Sequence, residues 1–450
     1  MVTARVSRGT GMVMAKREDR VEYHRSVEDD VIAAMKKPSP LFWVALFVSA
    51  SFFALGMALW GYQMWKGMGV SGLNNPVGWG VYITDFVFWV GIAHSGTLIS
   101  AVLFLFRAKF RSAFNRSAEA MTVFAVMTAG LFPLIHLGRS WLFFWLFPYP
   151  NQRLLWVNFR SPLMWDVFAV STYFTISAVF FFVGLIPDLA IAKRKLTGVR
   201  KWIYGALSLG FVGSFKQWKH YAKLYMFLAA FATPLVVSVH SVVSWDFAMS
   251  VLPGWHTTIF APYFVAGAIF SGTAMVITLV VPMRRIYRLN RHITIDHFES
   301  IAKILLFTSL LVTYSYIVEF ALALYSGNVY ESGAFLYRLN GDYKYFYWGM
   351  LFCNSAVPLT LFVKKWRRSL PFLYVLSIFV NIGMWLERFV IITTSLSKDF
   401  DPYAWGLYKP ALVEAGITLG SFGFFFMLFL LFTKLLPVVA ISELKEVADE

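Results

Sequence analysis

One cysteine, Cys353, is all the thiol chemistry this sequence offers. No disulfide can close within the chain. An iron–sulfur cluster needs several thiolates and a c-type haem needs C-x-x-C-H, so neither can be built on it. Charge is scarce too: 14% of residues are Asp, Glu, Lys or Arg, where a soluble domain carries about 25%. Acids are the rarer sign, 24 against 40 Lys and Arg, which leaves a net charge of +16. That excess does not describe a nucleic-acid groove, because the basic residues fall in short clusters between apolar runs. The alternating dyads of a transmembrane barrel are also missing.

Apolar side chains fill the space that charge leaves. Hydrophobic residues make up 58% of the 450, aromatics 19%, with 46 Phe. Ten runs are long enough to span a bilayer, which takes about 20 helical residues. Their cores are 41–65, 78–106, 118–147, 163–191, 222–249, 260–282, 300–325, 345–363, 370–395 and 411–433. Backbone in lipid must satisfy its own hydrogen bonds, so these runs predict helices and a multi-pass, all-α membrane protein.

Lys and Arg set the orientation. Residues 1–40, the loops 107–117, 192–221, 283–299 and 364–369, and the tail after 433 hold 29 of them; the opposite loops hold seven. The positive-inside rule then puts both termini in the cytoplasm and requires an even number of spans. A repeat divides the chain further: FWVGIAHSGTLI (88–99) and FVAGAIFSGTAM (264–275) lie at one depth on the second and sixth spans. Four spans apart means the same direction of travel, as in parallel repeats. The expected organisation is a cytoplasmic arm (1–40), a first span with its outer loop (41–77), two four-helix bundles (78–249 and 250–395), and a last span with a cytoplasmic tail (396–450).

Ionisable residues inside spans are rare and mark functional sites. Here they gather under the outer surface. His136 and Arg139 stand in the outward half of span three, within LFPLIHLGRSW, and a helix would put them on one face. Asp166 opens span four; His240 and Asp246 lie outward in span five; Glu319 and the Glu387–Arg388 pair lie outward in spans seven and nine. His94 stands near mid-depth, with Glu119 and Asp188 at the inner edge. The plainer readings are an Arg139 that snorkels to the interface, a structural 387–388 ion pair, and helix-start roles for Asp85 and Glu414.

Acids and bases at one depth beside Trp165 and Trp245 suit a quinol site. A quinol gives up two protons with its two electrons, and a neutral imidazole or a carboxylate can accept each proton. Facing His pairs that repeat along a span, as b-type haem requires, are not found, so no haem is expected. A transporter is the rival class, although its charges gather at the midplane rather than under one face.

The runs NPVGWGVYITDFVFWVGIAHSGTLISAVLFLFR (75–107), AEAMTVFAVMTAGLFPLIHLGRSW (118–141) and HSVVSWDFAMSVLPGWHTTIFAPYFVAGAIFSG (240–272) resemble the NrfD/polysulfide-reductase family of membrane subunits, and most of all its alternative complex III branch. The resemblance implies ten helices in two four-helix bundles with flanking helices. It implies a bacterial inner-membrane subunit that oxidises menaquinol or another quinol near the periplasmic face. Electrons would pass to an iron–sulfur subunit docked outside and on to haem c subunits, beside a paralogous membrane subunit of the same fold. It places His136, Asp166 and Asp246 as the proton acceptors, with Arg139 and His240 beside the quinol; Trp165 and Trp245 are its aromatic walls on the reading of the residues above. It also suggests a proton path, for which His94, Glu319, Asp188 and Arg388 are the candidates, although the inner half of the sequence looks sparse. The alternatives are a proton- or ion-translocating subunit and a purely structural one.

Overall fold

The computed structural model describes residues 21–36, 38–148 and 158–449, and among them it is helical without a strand. The first twenty residues of the expected arm, and Arg153 of an outer loop, lie outside the described residues. In chain order the helices are α1 (21–36), α2 (Pro40–Lys66), α3 (Val81–Leu105), α4 (Asn115–His136), α5 (Pro162–Lys195), α6 (Gly198–Leu207) and α7 (Phe215–Ala248). There follow α8 (Phe260–Ile286), α9 (Ile295–Tyr325), α10 (Val329–Asn340), α11 (Lys344–Leu351), α12 (Leu370–Ser397), α13 (Leu412–Leu435) and α14 (Ile441–Asp449).

Nine of these, among the described residues, are long and apolar enough to cross a membrane. The stretch 345–363, expected as a further span, departs from regular α-helix. After α11 it continues as a π turn (Phe352–Ala356), a short α turn (Val357–Leu359) and a 3-10 turn (Thr360–Phe362). Pro358 withholds a backbone donor there. Asn354, inside the π turn, is fully buried and aims its amide at Tyr316. Such π turns often re-aim side chains at functional positions.

Small residues decide which helices meet. A Cβ on Gly56 of α2 would run into the Gly420 backbone of α13, and one on Gly423 into the backbone of Ser49 and Phe53, so these two helices pack backbone against backbone. The repeated triplets form a second seam, between α3 and α8. Ser95 Oγ and Thr273 Oγ1 are 2.9 Å apart. Gly91 faces Ala268, and a Cβ on Gly272 would collide with Ser95 and the Ile92 carbonyl. Contacts rise in step along both chains, so the helices run parallel. α8 also receives α7, α9 and α12, which places this seam at the centre of the molecule.

The basic loops collect on one face. Lys195 pairs with Glu28 and Asp29 at 2.8 Å each, His292 with Asp30 at 2.9 Å, and Arg111 with Glu443 at 2.9 Å. Lys445 also reaches Glu28. Helix α1 therefore lies across this face as a strap, burying Val27, Val31 and Met35, and the Lys434 ammonium donates to the Ala34 carbonyl at 2.6 Å. The part of the expected arm over 21–36 is thus a docked helix.

Candidate functional site

On the face opposite the strap, α5 begins and α7 ends side by side. Pro162 at the first helical position starts α5. The entering chain is fixed by Trp165 Nε1 donating to the Phe159 carbonyl at 2.8 Å and Arg160 N–H donating to Asn158 Oδ1 at 3.1 Å. These contacts place Asp166, 6% exposed, one turn inside the helix. Across from it, the last turn of α7 carries Asp246, and the two carboxyls lie close enough to interact. Neither Asp166 Oδ1 nor Asp246 Oδ1 has a hydrogen-bond partner among the described residues. Beside the pair, the Trp165 and Trp245 rings meet edge to face at 6.0 Å, and Trp245 and Phe168 are exposed on the outer surface of the helices. The result is a pair of neighbouring carboxyls with aromatic walls.

His136 and Arg139 do not share a helix face, contrary to the sequence expectation. Gly138 adopts a left-handed φ of +69°, and its N–H donates to the Ile135 carbonyl at 3.2 Å, closing α4 at His136. The apolar residues beyond, Ser140–Leu146, form a 3-10 segment rather than more of the span. His136 thus sits on the last turn, half-buried, with no partner on Nδ1 among the described residues. Arg139 is exposed, outside the helix. No hydrogen bond joins His136 to either aspartate.

His240 lies deeper than its sequence position suggests. It faces His94, with ring centroids 4.7 Å apart, and His94 in turn stacks on Tyr173 at 4.7 Å. His94 Nδ1 bonds the Val90 carbonyl at 2.5 Å; its Nε2 and both His240 nitrogens have no partner among the described residues. Tyr173 is seven residues along α5 from Asp166, and His240 six along α7 from Asp246, about 10 Å of rise in each case. The Tyr173 hydroxyl extends the group further, to Thr97 Oγ1 at 2.7 Å and the Ala93 carbonyl at 3.0 Å.

Asp188 belongs to a different assembly, at the basic face. Arg116 there bonds Glu119 at 2.6 Å, Asp188 at 2.9 Å and the Gly184 carbonyl at 2.5 Å, while Tyr225 donates to Glu119 at 2.9 Å and Ser442 N–H to Asp188 at 3.0 Å. The inner half, sparse by sequence, therefore holds a dense buried network. Asp85 likewise has no role in starting a helix: it is fully buried and accepts from Trp385 Nε1 at 2.7 Å and Thr418 Oγ1 at 2.5 Å. Glu414 does stand in a first turn, accepting from Ala411 N–H at 2.8 Å, and it also ties down Gly72 and Tyr408.

Glu387 and Arg388 form a buried ion pair at 3.0 Å. The Arg388 guanidinium lies 4.1 Å over Phe264, a ring that also neighbours His240, and the Tyr316 hydroxyl donates to Glu387. Glu319 lines a small cavity with Tyr316, Tyr347 and Arg338. Tyr173, Tyr316, Asn354, Arg116 and Arg338 carry these arrangements and were not singled out by sequence. Tyr and Asn are unremarkable in an apolar run, and Arg116 and Arg338 look like ordinary loop cations. Among the described residues no group of three His, Cys, Asp or Glu is placed to hold a metal ion.

Comparison with known proteins supplies the remaining finding. The family model for polysulphide reductase, NrfD, matches residues 69–398. A Halobacterium salinarum protein, provisionally named as a dimethyl sulfoxide reductase membrane subunit, is 26% identical over 83% of this chain and 86% of its own length. A selenate reductase subunit of Mesobacillus selenatarsenatis is 23% identical over 87% of this chain and 93% of its own. The Hdr-like menaquinol oxidoreductase integral membrane subunit of Archaeoglobus fulgidus is 24% identical over 35% of this chain and 38% of its own.

Proposed function

The chain belongs to the polysulphide reductase NrfD family, and from that premise we propose that it is the quinol-oxidising membrane subunit of a respiratory or photosynthetic electron-transfer complex. Asp166 and Asp246 form the proton-accepting pair. The observation that carries this reading is the pair of neighbouring carboxyls where α5 begins and α7 ends, flanked by Trp165 and Trp245. The quinol ring sits against the tryptophans with its isoprenoid tail in lipid. One hydroxyl proton passes to whichever carboxylate is ionised, and His136, at the same end of the fold with a free ring nitrogen, accepts the second. The two electrons leave together or in turn to an iron–sulfur subunit docked on this face, and from there to haem c subunits, as in alternative complex III. A relative named for menaquinol favours menaquinol as the substrate.

The face opposite the strap is the periplasmic one in this reading, and the membrane is the bacterial inner membrane, crossed ten times with 345–363 as the irregular span. Protons leave outward. The His94–His240–Tyr173 group, two turns further in, supports a second reading in which the subunit also moves protons through the membrane. A paralogous membrane subunit would lie beside this one.

Photo-crosslinking tests the quinol site. An azido-quinone illuminated with the assembled complex should label peptides from α5 and α7 near residues 159–170 and 240–250, and excess quinol should suppress the label. Labelling confined to another subunit, or unaffected by quinol, would remove the quinol site from this chain.

A further inference from the structure

The basic face carries a cavity that the quinol chemistry does not use. It opens between the last turns of α5, the first turns of α7 and the C-terminal helix α14, and its volume is about 960 Å³. Its floor is apolar, formed by Pro187, Ile191 and Ala222. One wall is aromatic. Phe211 meets Trp218 at 5.1 Å and Trp218 meets Tyr221 at 5.5 Å, each edge to face, which makes the wall stiff. The mouth is basic, with Lys193, Arg194 and Lys445 set against one carboxylate, Glu446 of α14.

These cations are unevenly employed. Lys445 holds Glu28 of the strap. Lys195, next along the helix, holds Glu28 and Asp29. Lys193 and Arg194 are exposed and make no ion pair with any described residue. Complementing the C-terminal end of α5 would need one such charge, and Lys195 already supplies it. Between residues 189 and 245 the sequence has eight Lys and Arg and no Asp or Glu, and Asp188, just before on α5, is already bound to Arg116. Phe215, Met226 and Phe227 of α7 are exposed apolar groups of the kind that acyl chains cover.

We propose that this cavity binds the phosphate headgroup of an anionic phospholipid, with Lys193 and Arg194 on the phosphate and the acyl chains along α7. A free phosphate would find the same cations but would leave the apolar floor and the exposed α7 surface uncovered. Cationic pockets between helices at the basic side of a membrane protein suit such headgroups, and each Lys or Arg there adds appreciably to the attraction. The site would anchor the strap and α14 to the membrane surface at the point where both cross the bundle.

Native mass spectrometry of the full chain tests this. Protein is released from micelles containing phosphatidylglycerol or phosphatidylcholine, with or without inorganic phosphate. Phosphatidylglycerol should stay bound where phosphatidylcholine does not, and phosphate should not displace it. Lys193→Gln with Arg194→Gln should lower the retained phosphatidylglycerol about tenfold. Lys364→Gln with Lys365→Gln, an equal loss of charge at exposed positions of the same face, should leave it unchanged. Equal loss in the two double variants, equal retention of both lipids, or displacement by phosphate alone would overturn the proposal.

Discussion

The hydroxyls of Ser95 and Thr273 lie 2.9 Å apart, each supplied by one copy of a repeated Ser-Gly-Thr triplet. The two copies are thus a contact as well as an echo. They let α3 and α8 run in parallel close enough for backbone to touch side chain. Gly272→Val would drive a side chain into Ser95 and the Ile92 carbonyl. Overpacking of this kind costs about 1–3 kcal/mol. Losing the hydroxyl pair through Ser95→Ala should cost less, about 0.6 kcal/mol. Thermal unfolding in detergent should rank the variants in that order.

Arg116 is 1% exposed and holds two carboxylates. Removing one partner of a buried ion network leaves charge uncompensated, at a cost of about 3–5 kcal/mol. Arg116→Met should therefore unfold at markedly lower temperature. Adding Glu119→Gln and Asp188→Asn should recover much of the loss, because the burden is the stranded carboxylates. A triple variant no more stable than the single one would count against this.

Arg139 and His136 should respond differently, since α4 ends between them. Arg139→Gln alters an exposed group beyond the helix and should change quinol turnover by less than about threefold. His136→Ala removes a proposed proton acceptor, a role worth about 10²-fold or more. Steady-state assays of the assembled complex distinguish the two.

The strap should be sensitive to acid. Burial raises the carboxyl of Glu28, but hydrogen bonds and charge from Lys195 and Lys445 outweigh this and hold it below its ordinary value. A depressed folded-state value means that the contribution is present above the unfolded value, about 4.3, and is lost as pH falls through the folded one. The protection factors of the amides over 21–36, referred to the intrinsic exchange rate at each pH, should be high at neutral pH and fall several-fold below about pH 4. Glu28→Gln should exchange faster already at neutral pH.

Much of the helix layout can be read from hydrophobic length alone. The runs 260–282, 370–395 and 411–433 match Phe260–Ile286, Leu370–Ser397 and Leu412–Leu435 within a few residues. Where the reading fails, length and polarity are the wrong variables. The run 118–147 stays apolar past His136, yet Gly138 turns the chain there, and an interfacial 3-10 segment is as greasy as a span. Side-chain partnerships are harder still. Helices apolar on all sides give no periodicity to say which face is inward, so Asp85 finding Trp385 and Thr418, or His240 finding His94, depends on tertiary packing. The pairing of Asp166 with Asp246 was approachable because both lie at the same depth on consecutive spans.

Quinol turnover by the assembled complex carrying Asp166→Asn, with Asp246→Asn beside it, tests the central claim most directly. Each substitution keeps the shape and hydrogen-bonding reach of the side chain while removing the proton acceptor. The account predicts a complex that assembles, still binds quinone, and oxidises quinol slower by about 10²-fold or more for each variant. The double variant should be little slower than either single one, since the two carboxyls act as one unit. Assembled variants that oxidise quinol at the native rate would contradict it.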